Sequence, residues 1–468
     1  MLTFQDFQKA AQDGLSIPDF LQRAIAEHET SPAYREAQTA RLYYTGDNPT
    51  ISARKHVIYD ELGRGYEDIW TPNNKLKSQV FRAAVMQRVS YLMSNGVTFK
   101  EAGTKNRLGT ARRPFDTQAA IAYREAMIGG VSYSYFNHDH VEVFPFEHYC
   151  PLLDEMTGSA RAGVYRWRLA DDKPMTVYLF EEAGYTVFSE NRNSGNLEIA
   201  KQKRPYRLTL VKSSEMEELF AGEPYPAFPI IPLKLNDQGT PLLHGKQETI
   251  DGLDLARSNG LNNTDMDTLY WLFEGLEGMN NFDIVRAVFD LRRIHGLATP
   301  PADGTAHITP HTAQAPYEGT QATIAELKEQ LYSDLMMFNP ESVVARSDTA
   351  TAIRAAYELL NVDTNVFEIE QLQPYMLQIL ELAGITGETV TFTRDTITNV
   401  QESMQTLMML APYVDAQYIR ERGMRLLGDI DKIPEVSARM AAEETQRIET
   451  RQTEEETEAG NNDGLGAV

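Results

Sequence analysis

One cysteine, Cys150, stands in the 468 residues, so no disulfide can form within the chain and the composition fits a reducing compartment. Positive charge is also scarce. Against 67 aspartates and glutamates there are 44 lysines and arginines, a formal net charge of −23. Gripping nucleic acid by neutralising phosphates needs basic patches that release counterions, and such a surface would instead repel a phosphate backbone. Nor does any run approach the roughly 18 to 20 consecutive apolar residues of a membrane helix. The first thirty residues carry Gln5, Asp6, Gln8, Lys9 and Asp13 among their apolar positions, where a secretory signal would hold an unbroken apolar core. No membrane partner is expected.

Catalytic signatures are missing in the same way. The stretch GTPLLHGK at 239–246 resembles a phosphate-cradling loop, but five residues precede Gly245-Lys246 where four are needed, and Gln247 stands where Ser or Thr would hold magnesium. Asp265 and Asp267 suggest a nuclease metal pair, yet residues two apart on a helix point to different faces. His307 and His311 have the spacing of half a zinc finger, with His295 nearby, but no cysteine accompanies them and Pro310 breaks the helix that would align them. His138-Asp139-His140 follows an aromatic strand and reads as a hairpin turn. Cys150 beside His148 lacks an orienting acid and reads as a packed thiol. No cofactor, metal or catalytic residue is expected.

What is present is a globular composition, 42% hydrophobic and 24% charged, on a chain long enough for more than one compact unit. Residues 1–45 alternate short helical patterns with caps at Ser16-Ile17-Pro18-Asp19 and Ser31-Pro32. Residues 54–72 read as an aromatic loop. Leu76, Val80, Ala84, Arg88 and Tyr91 repeat near the helical period and predict a helix over 73–94. From 131 to 235 the chain is strand-rich, with alternation at 176–180 and 207–211. Pro229 and Pro232 lack ladder donors, so the strand that holds them can only be an edge. It runs into a long polar helix with no apolar stripe wide enough to fold alone.

An insertion then spans 274–320, marked by Pro300, Pro301, Pro310 and Pro316. A helix over 321–338, with Ile324, Leu327, Leu331 and Leu335 on one face, stops at Asn339-Pro340 because the residue before proline is pushed out of helical geometry. Ser347 or Asp348 caps the next helix, which reaches about Ala383 with a kink at Pro374 and a stop at Gly384. Helical patterns return at 395–410, 416–427 and 434–447. Residues 448–468 cluster acids without apolar periodicity and are expected to be disordered.

Four of these segments resemble the tailed-bacteriophage portal (head-tail connector) proteins of siphophage type. Pro229, Ile230, Ile231, Pro232, Leu233, Lys234 and Asn236, then Ile250, Asp251, Asp254, Ser258 and Asn262, match the passage from that family's outer wing into its central channel. Residues 73–99 resemble its early wing helix. Residues 122–154 hold a Gly129-Gly130 break, an aromatic strand and the family-like PFEHYCPLLD. Residues 348–360 resemble the start of its channel-to-crown helix, with Thr349 where glycine is usual and Arg354 near the usual lysine.

The resemblance implies an α+β portal fold assembling as a ring. Its parts would be an α/β wing over 1–245, a stem helix over 246–273, a small α/β clip insertion over 274–320, a second stem helix over 321–338, a channel loop over 339–350, a long kinked connecting helix over 351–394, an all-helical crown over 395–447, and the tail. It further implies a ring of twelve copies at one capsid vertex of the virion, assembled in the host cytoplasm, through which double-stranded DNA is packaged and later ejected. The implied partners are other copies of the chain, the terminase large subunit, head-completion and adaptor proteins, and the major capsid and scaffolding proteins. By the same resemblance Asn339, Glu341, Ser342, Val343, Val344, Arg346, Ser347, Asp348 and Thr349 form the loop against DNA. Asp254, Arg257, Asn262 and Asp265 are the stem's channel face, and Arg286, Arg292, Arg293 and His295 the clip's partner surface. The alternatives are a metal-dependent nuclease using Asp265 and Asp267 and a capsid adaptor without a channel.

Overall fold

The computed structural model describes residues 2–59, 62–68, 71–101, 103–212, 218–265, 269–274, 282–283, 285–286, 307–312, 317–339, 350–394, 400–410, 412–427, 436 and 438–440. Three of the first four helices start where a short polar side chain accepts a free N–H group. Thr3 and Asp6 form a reciprocal capping box at α1 (Phe4–Gln12). α2 (Ile17–Thr30) and α3 (Pro32–Thr45) each carry proline in the first turn, behind Ser16 and Ser31. α4 (Pro49–Ala53) is capped by Asn48. The expected aromatic loop contains a hairpin, β1 (Val57–Tyr59) with β2 (Gly65–Glu67). α5 (Val80–Met93) begins seven residues later than its periodicity suggests. β3 (Val97–Phe99), α6 (Thr104–Leu108) and α7 (Phe115–Gly129) follow.

Two antiparallel sheets come next. The three-stranded one orders β13 (Ile230–Lys234), β4 (Val131–Phe136) and β5 (Val141–Pro145), so the proline-bearing strand is an edge as expected. The five-stranded one runs β10 (Leu197–Arg204), β9 (Gly184–Glu190), β8 (Thr176–Glu181), β7 (Ala160–Trp167), β6 (Tyr149–Leu153). β11 (Arg207–Lys212) and β12 (Glu218–Glu223) form a separate hairpin.

Strand alternation decides what each face meets. On β4, Ser132 donates to the carbonyl of Ala122 on α7 at 2.8 Å, and Ser134 shares a 2.6 Å hydrogen bond with Tyr375. Small residues there let helices lie close. The intervening tyrosines face the other way, with Tyr133 4.3 Å from Tyr149 and Tyr135 5.3 Å from Phe180, ring centre to ring centre. The five-stranded sheet therefore has an aromatic face, with Tyr165 stacked on Phe144 at 4.0 Å. Its opposite face, including Cys150, Leu152, Val164, Val177 and Leu179, buries Phe7, Phe20, Leu21 and Ile25 of α1 and α2 in a second core. Gly163 makes the first face possible: a side chain there would meet the Tyr149 hydroxyl at 1.8 Å.

Beyond residue 245 the elements are α8 (Gln247–Asp265), a hairpin of β14 (Leu269–Glu274) with β15 (His307–Thr312), α9 (Tyr317–Asp334), α10 (Ala350–Phe367), a π-helical segment (Glu368–Leu372), α11 (Gln373–Leu382), β16 (Val390–Phe392), α12 (Val400–Leu410) and α13 (Ala416–Leu427). The first long helix thus ends at 265 rather than 273. Strand begins before the expected edge of the insertion at 274. The kink expected at Pro374 takes the form of the π segment just before it: proline has no N–H to return to the preceding turn, and the ladder slips by one residue. Helix stops at Leu382 beside the expected stop at Gly384, so the connecting part drawn to 394 is not helical to its end; β16 then pairs with β3, which periodicity did not reveal.

The chain divides into two compact units, 1–339 with 358–395, and 340–357 with 396–468. In the second, α12 and α13 form a helical hairpin around buried Leu407, with Gly423 leaving room for Leu407 and Met404. Of the expected helix at 434–447 only residues 436 and 438–440 are described, and the tail lies outside the described residues.

Candidate functional site

The small-site candidates resolve into structure. In the 239–246 stretch the Leu242 N–H donates to the Met127 carbonyl at 2.9 Å, and Gly239 lies so close to Gly130 that a side chain on the latter would sit 2.1 Å from the Gly239 oxygen. This loop closes the end of α7, which explains the Gly129-Gly130 break. His138 occupies the β4–β5 turn with φ +73, its ring stacked on Tyr225 at 4.7 Å. His140 lies 3.2 Å from Glu142 and 2.8 Å from Arg113. Burial pushes the Cys150 thiol up to about 12, which leaves it protonated and unreactive. His307 and His311 lie on β15 opposite Glu274 and Tyr270. Among the described residues no three His, Cys, Asp or Glu side chains converge as metal ligands, and no helix is long and apolar enough to cross a membrane.

The polar helix α8 carries the most specific geometry. Residues 73–79, expected to be helical, form no regular element and lie beside it. The Asn74 N–H donates to Asn262 Oδ1 at 2.7 Å, the Leu76 N–H to Ser258 Oγ at 3.0 Å and the Ser78 N–H to Asp254 Oδ1 at 2.8 Å. Every second residue of the segment meets every fourth residue of the helix, antiparallel. The pitches match: two extended residues rise about 6.6 Å and four helical residues about 6 Å. Asn48 extends the seam, its Nδ2 donating to Asp251 at 2.8 Å and to Asp254 at 2.9 Å. Tyr43 donates to Asp251, and this bond and burial push its phenol well above the usual range.

These contacts overturn part of the expected stem face. Asp254 and Asn262 are 1% and 8% exposed, because their side chains accept main-chain N–H groups that would otherwise lack partners. Arg257 is exposed on another side of the helix. The side chain of Asp265 lies outside the described residues.

A third face of α8 meets α9. A side chain added at Gly252 would reach Leu327 at 3.8 Å, and one at Gly260 would reach Thr320 at 3.5 Å. The two helices therefore run antiparallel, with a glycine of α8 at each of these contacts. The hairpin β14–β15 is inserted between them in the chain. Arg286 in the insertion is exposed, while Arg292, Arg293 and His295 lie outside the described residues.

Of the expected channel loop only Asn339 is described; Glu341, Ser342, Val343, Val344, Arg346, Ser347, Asp348 and Thr349 are not. Both flanks of that loop are held by neighbouring residues of α5. Gln87 exchanges two hydrogen bonds with the main chain of Phe338, at 3.0 and 3.2 Å. Arg88, 3% exposed, donates to the Leu335 carbonyl at 2.9 Å and pairs with Asp363 on α10. This clamp was not anticipated, although an arginine inside the apolar repeat of α5 was its signal: a buried guanidinium demands an acid and a carbonyl.

No protein-family model matches the chain, and no curated protein matches it. Among solved structures it is similar to a chain from the neck of a native gene transfer agent (GTA) particle computed with C12 symmetry, at 12% identity over 82% of this chain and 97% of that one, with a TM-score of 0.39. It is similar to a chain from the neck of an empty GTA particle computed with C6 symmetry, at 12% identity over 75% and 90%, TM-score 0.41. It is also similar to an HK97 family phage portal protein from Corynebacterium diphtheriae, at 10% identity over 68% and 96%, TM-score 0.34.

Proposed function

We propose that this chain is the subunit of a portal ring, the channel at one capsid vertex through which double-stranded DNA enters and leaves. The observation that carries the reading is the order of parts in a single chain: a proline-bearing edge strand, β13, leads into α8; α8 and α9 run antiparallel with a β-hairpin inserted between them; and α10 then leaves as a long helix broken by a π segment. That order agrees with the wing, stem, clip, stem and connecting helix implied by the sequence resemblance.

In this reading DNA slides through a bore that repels it. The net charge of −23 matters only near the axis, since screening limits each charge to about 8 Å at physiological salt. Arg257 and Asp265 remain the stem's contribution to the bore, with Asp254 and Asn262 serving the seam behind it. Residues 339–350 form the constriction, where Arg346 touches phosphate transiently while Glu341 and Asp348 keep it from being trapped. The terminase large subunit docks on the inserted hairpin and supplies the energy, head-completion proteins take the same face later, and capsid and scaffolding proteins surround the ring.

Negative-stain imaging and native mass spectrometry of the purified protein test the reading. The expected result is a closed ring of well over half a megadalton, twelvefold, formed without DNA and lacking ATPase and nuclease activity. Monomer alone across several salt conditions overturns it. Rings carrying Arg346→Glu should stay intact yet package DNA more slowly or retain less of it; packaging at the normal rate and to full length removes 339–350 from the constriction.

A further inference from the structure

The long helix from α10 through the π segment into α11 is apolar on two faces. Leu360, Phe367, Leu372, Met376 and Ile379 are buried in the first core. A second set, Leu359, Val362, Val366, Ile369 and Leu377, lies 49–65% exposed. Its first four members step by three, four and three residues, the spacing of a seam made to pack against another helix, over about 15 Å at 1.5 Å per residue. Single exposed apolar residues are ordinary, but a continuous strip marks an interaction site. Glu358 and Glu370 rim it, both exposed and neither engaged in an ion pair among the described residues.

A second open apolar face has the opposite rim. Tyr44 of α3 meets the exposed Met86 of α5, its hydroxyl 3.7 Å from the Met86 sulfur. The Arg82 guanidinium sits over the Tyr44 ring at 5.9 Å, and in the segment that leads into α5 the exposed Lys75 and Lys77 flank Leu76, itself 40% exposed. Lys77 reaches Asp47 and Lys75 donates to the Ser52 carbonyl, while Arg82 has no acidic partner among the described residues. Met86 and Arg82 point away from the Arg88 side of α5, being two and six positions from it at 100° per residue. Both faces are open in one chain, so they do not cover each other.

We infer that the acid-rimmed strip of one copy packs on the base-rimmed face of the next, with Glu358 and Glu370 opposing Lys75 and Arg82. Two different faces joined head to tail generate a closed ring when the rotation closes, so the contact rests on the ring reading above and names what holds that ring together. Opposite rims also fix the direction of assembly, since strip on strip would oppose like charges.

The test uses two full-length variants with complementary damage. Val362→Asp with Val366→Asp breaks only the strip, and Met86→Asp with Arg82→Glu breaks only the basic face. All four positions are at least partly exposed, and unchanged circular dichroism and melting of the monomer establish that each variant folds. Each alone should lose ring formation entirely and run as a monomer; mixed in equal amounts they should form a one-to-one heterodimer and nothing larger, because one intact junction remains. Glu358→Lys with Glu370→Lys should likewise block assembly, and Lys75→Glu with Arg82→Glu in the same chain should restore it. Rings from either double variant alone, a homodimer of either, or no heterodimer on mixing overturns the contact while leaving the ring reading standing. A wild-type chain that remains monomeric overturns the ring reading and this contact with it.

Discussion

Helices α7 and α8 are held by opposite means. α7 is wrapped in apolar side chains: Ala119, Ala122, Tyr123, Ala126, Met127 and Ile128 are all buried in the first core. α8 keeps Ile250 and Leu253 in that core, but over its remaining length Asp254, Ser258 and Asn262 accept N–H groups of a segment with no regular structure of its own, and Asp251 accepts from the side chains of Asn48 and Tyr43. Apolar packing tolerates small shifts of register, whereas a ladder of side-chain acceptors at matched pitch permits one register only. A helix proposed to line a channel gains from the second device, since its position along the axis is then set by hydrogen bonds rather than by side-chain shape.

The sharpest way to break the comparison is to damage the apolar side. Leu92 of α5 is completely buried among the residues around α7, and Leu92→Ala should cost about 3 kcal/mol, the transfer term plus the cavity left behind. On the seam, Asp254→Ala leaves the Ser78 N–H without an acceptor and the Asn48 amide with Asp251 alone and should cost about 2 kcal/mol, while Ser258→Ala, which strips the Leu76 N–H of its acceptor, should cost about 1 kcal/mol. Urea midpoints of the three variants, measured under one buffer, check the ranking. The seam variants carry a second signature: faster amide exchange confined to Asn74, Leu76 and Ser78. If Asp254→Ala matches wild type in both stability and exchange at these amides, the side chain is not holding the segment.

How much of this was legible beforehand follows from which interactions have a period. The 3.6-residue repeat located α5, and alternation located β8, because each of those elements buries one face; alternation also gave the place of β11. Residues 73–79 were misread as helix since Leu76 and Val80 fall in step with the repeat that follows. Nothing local distinguishes an extended run whose N–H groups are taken by a helix almost two hundred residues away. The same long range hid the β3–β16 pairing, in which Val97 meets Phe392. At the candidate site, the pattern of Asp251, Asp254, Ser258 and Asn262 was noticed, and two of its members, Asp254 and Asn262, were expected on the channel face. Polar residues on a helix are ordinarily the solvated face, and only the partners reveal that these four are acceptors. Arg88 was visible as an anomaly, while its acid, Asp363, and its carbonyl, at Leu335, come from elements far along the chain.

The smallest expected effect concerns the contact between α2 and the turn after β5, where polar and apolar holding meet in one residue. His28 is 2% exposed, its ring 4.9 Å from that of Phe146 and 5.3 Å from that of Tyr34, and its Nε2–H donates to the Phe146 carbonyl at 3.0 Å. Burial holds its pKa below the ordinary histidine value of 6.5, and burial does the same to His138 and His148. A base whose folded pKa lies below its unfolded one stays neutral in the fold while the unfolded chain takes up a proton. Its contribution is therefore complete above about pH 6.5 and declines as pH falls through that value toward the folded pKa. Melting temperature should accordingly drop between pH 7.5 and 5.5, a window above the range in which the depressed carboxylates of Asp6, Asp47, Asp154 and Glu388 titrate. His28→Gln, which retains an N–H donor but cannot be protonated, should lower stability at pH 7.5 and flatten the slope below it. A melting temperature that is level or rises on acidification to pH 5.5 would mean that these histidines meet protons as easily in the fold as outside it, and that the α2 contact is held by the rings alone.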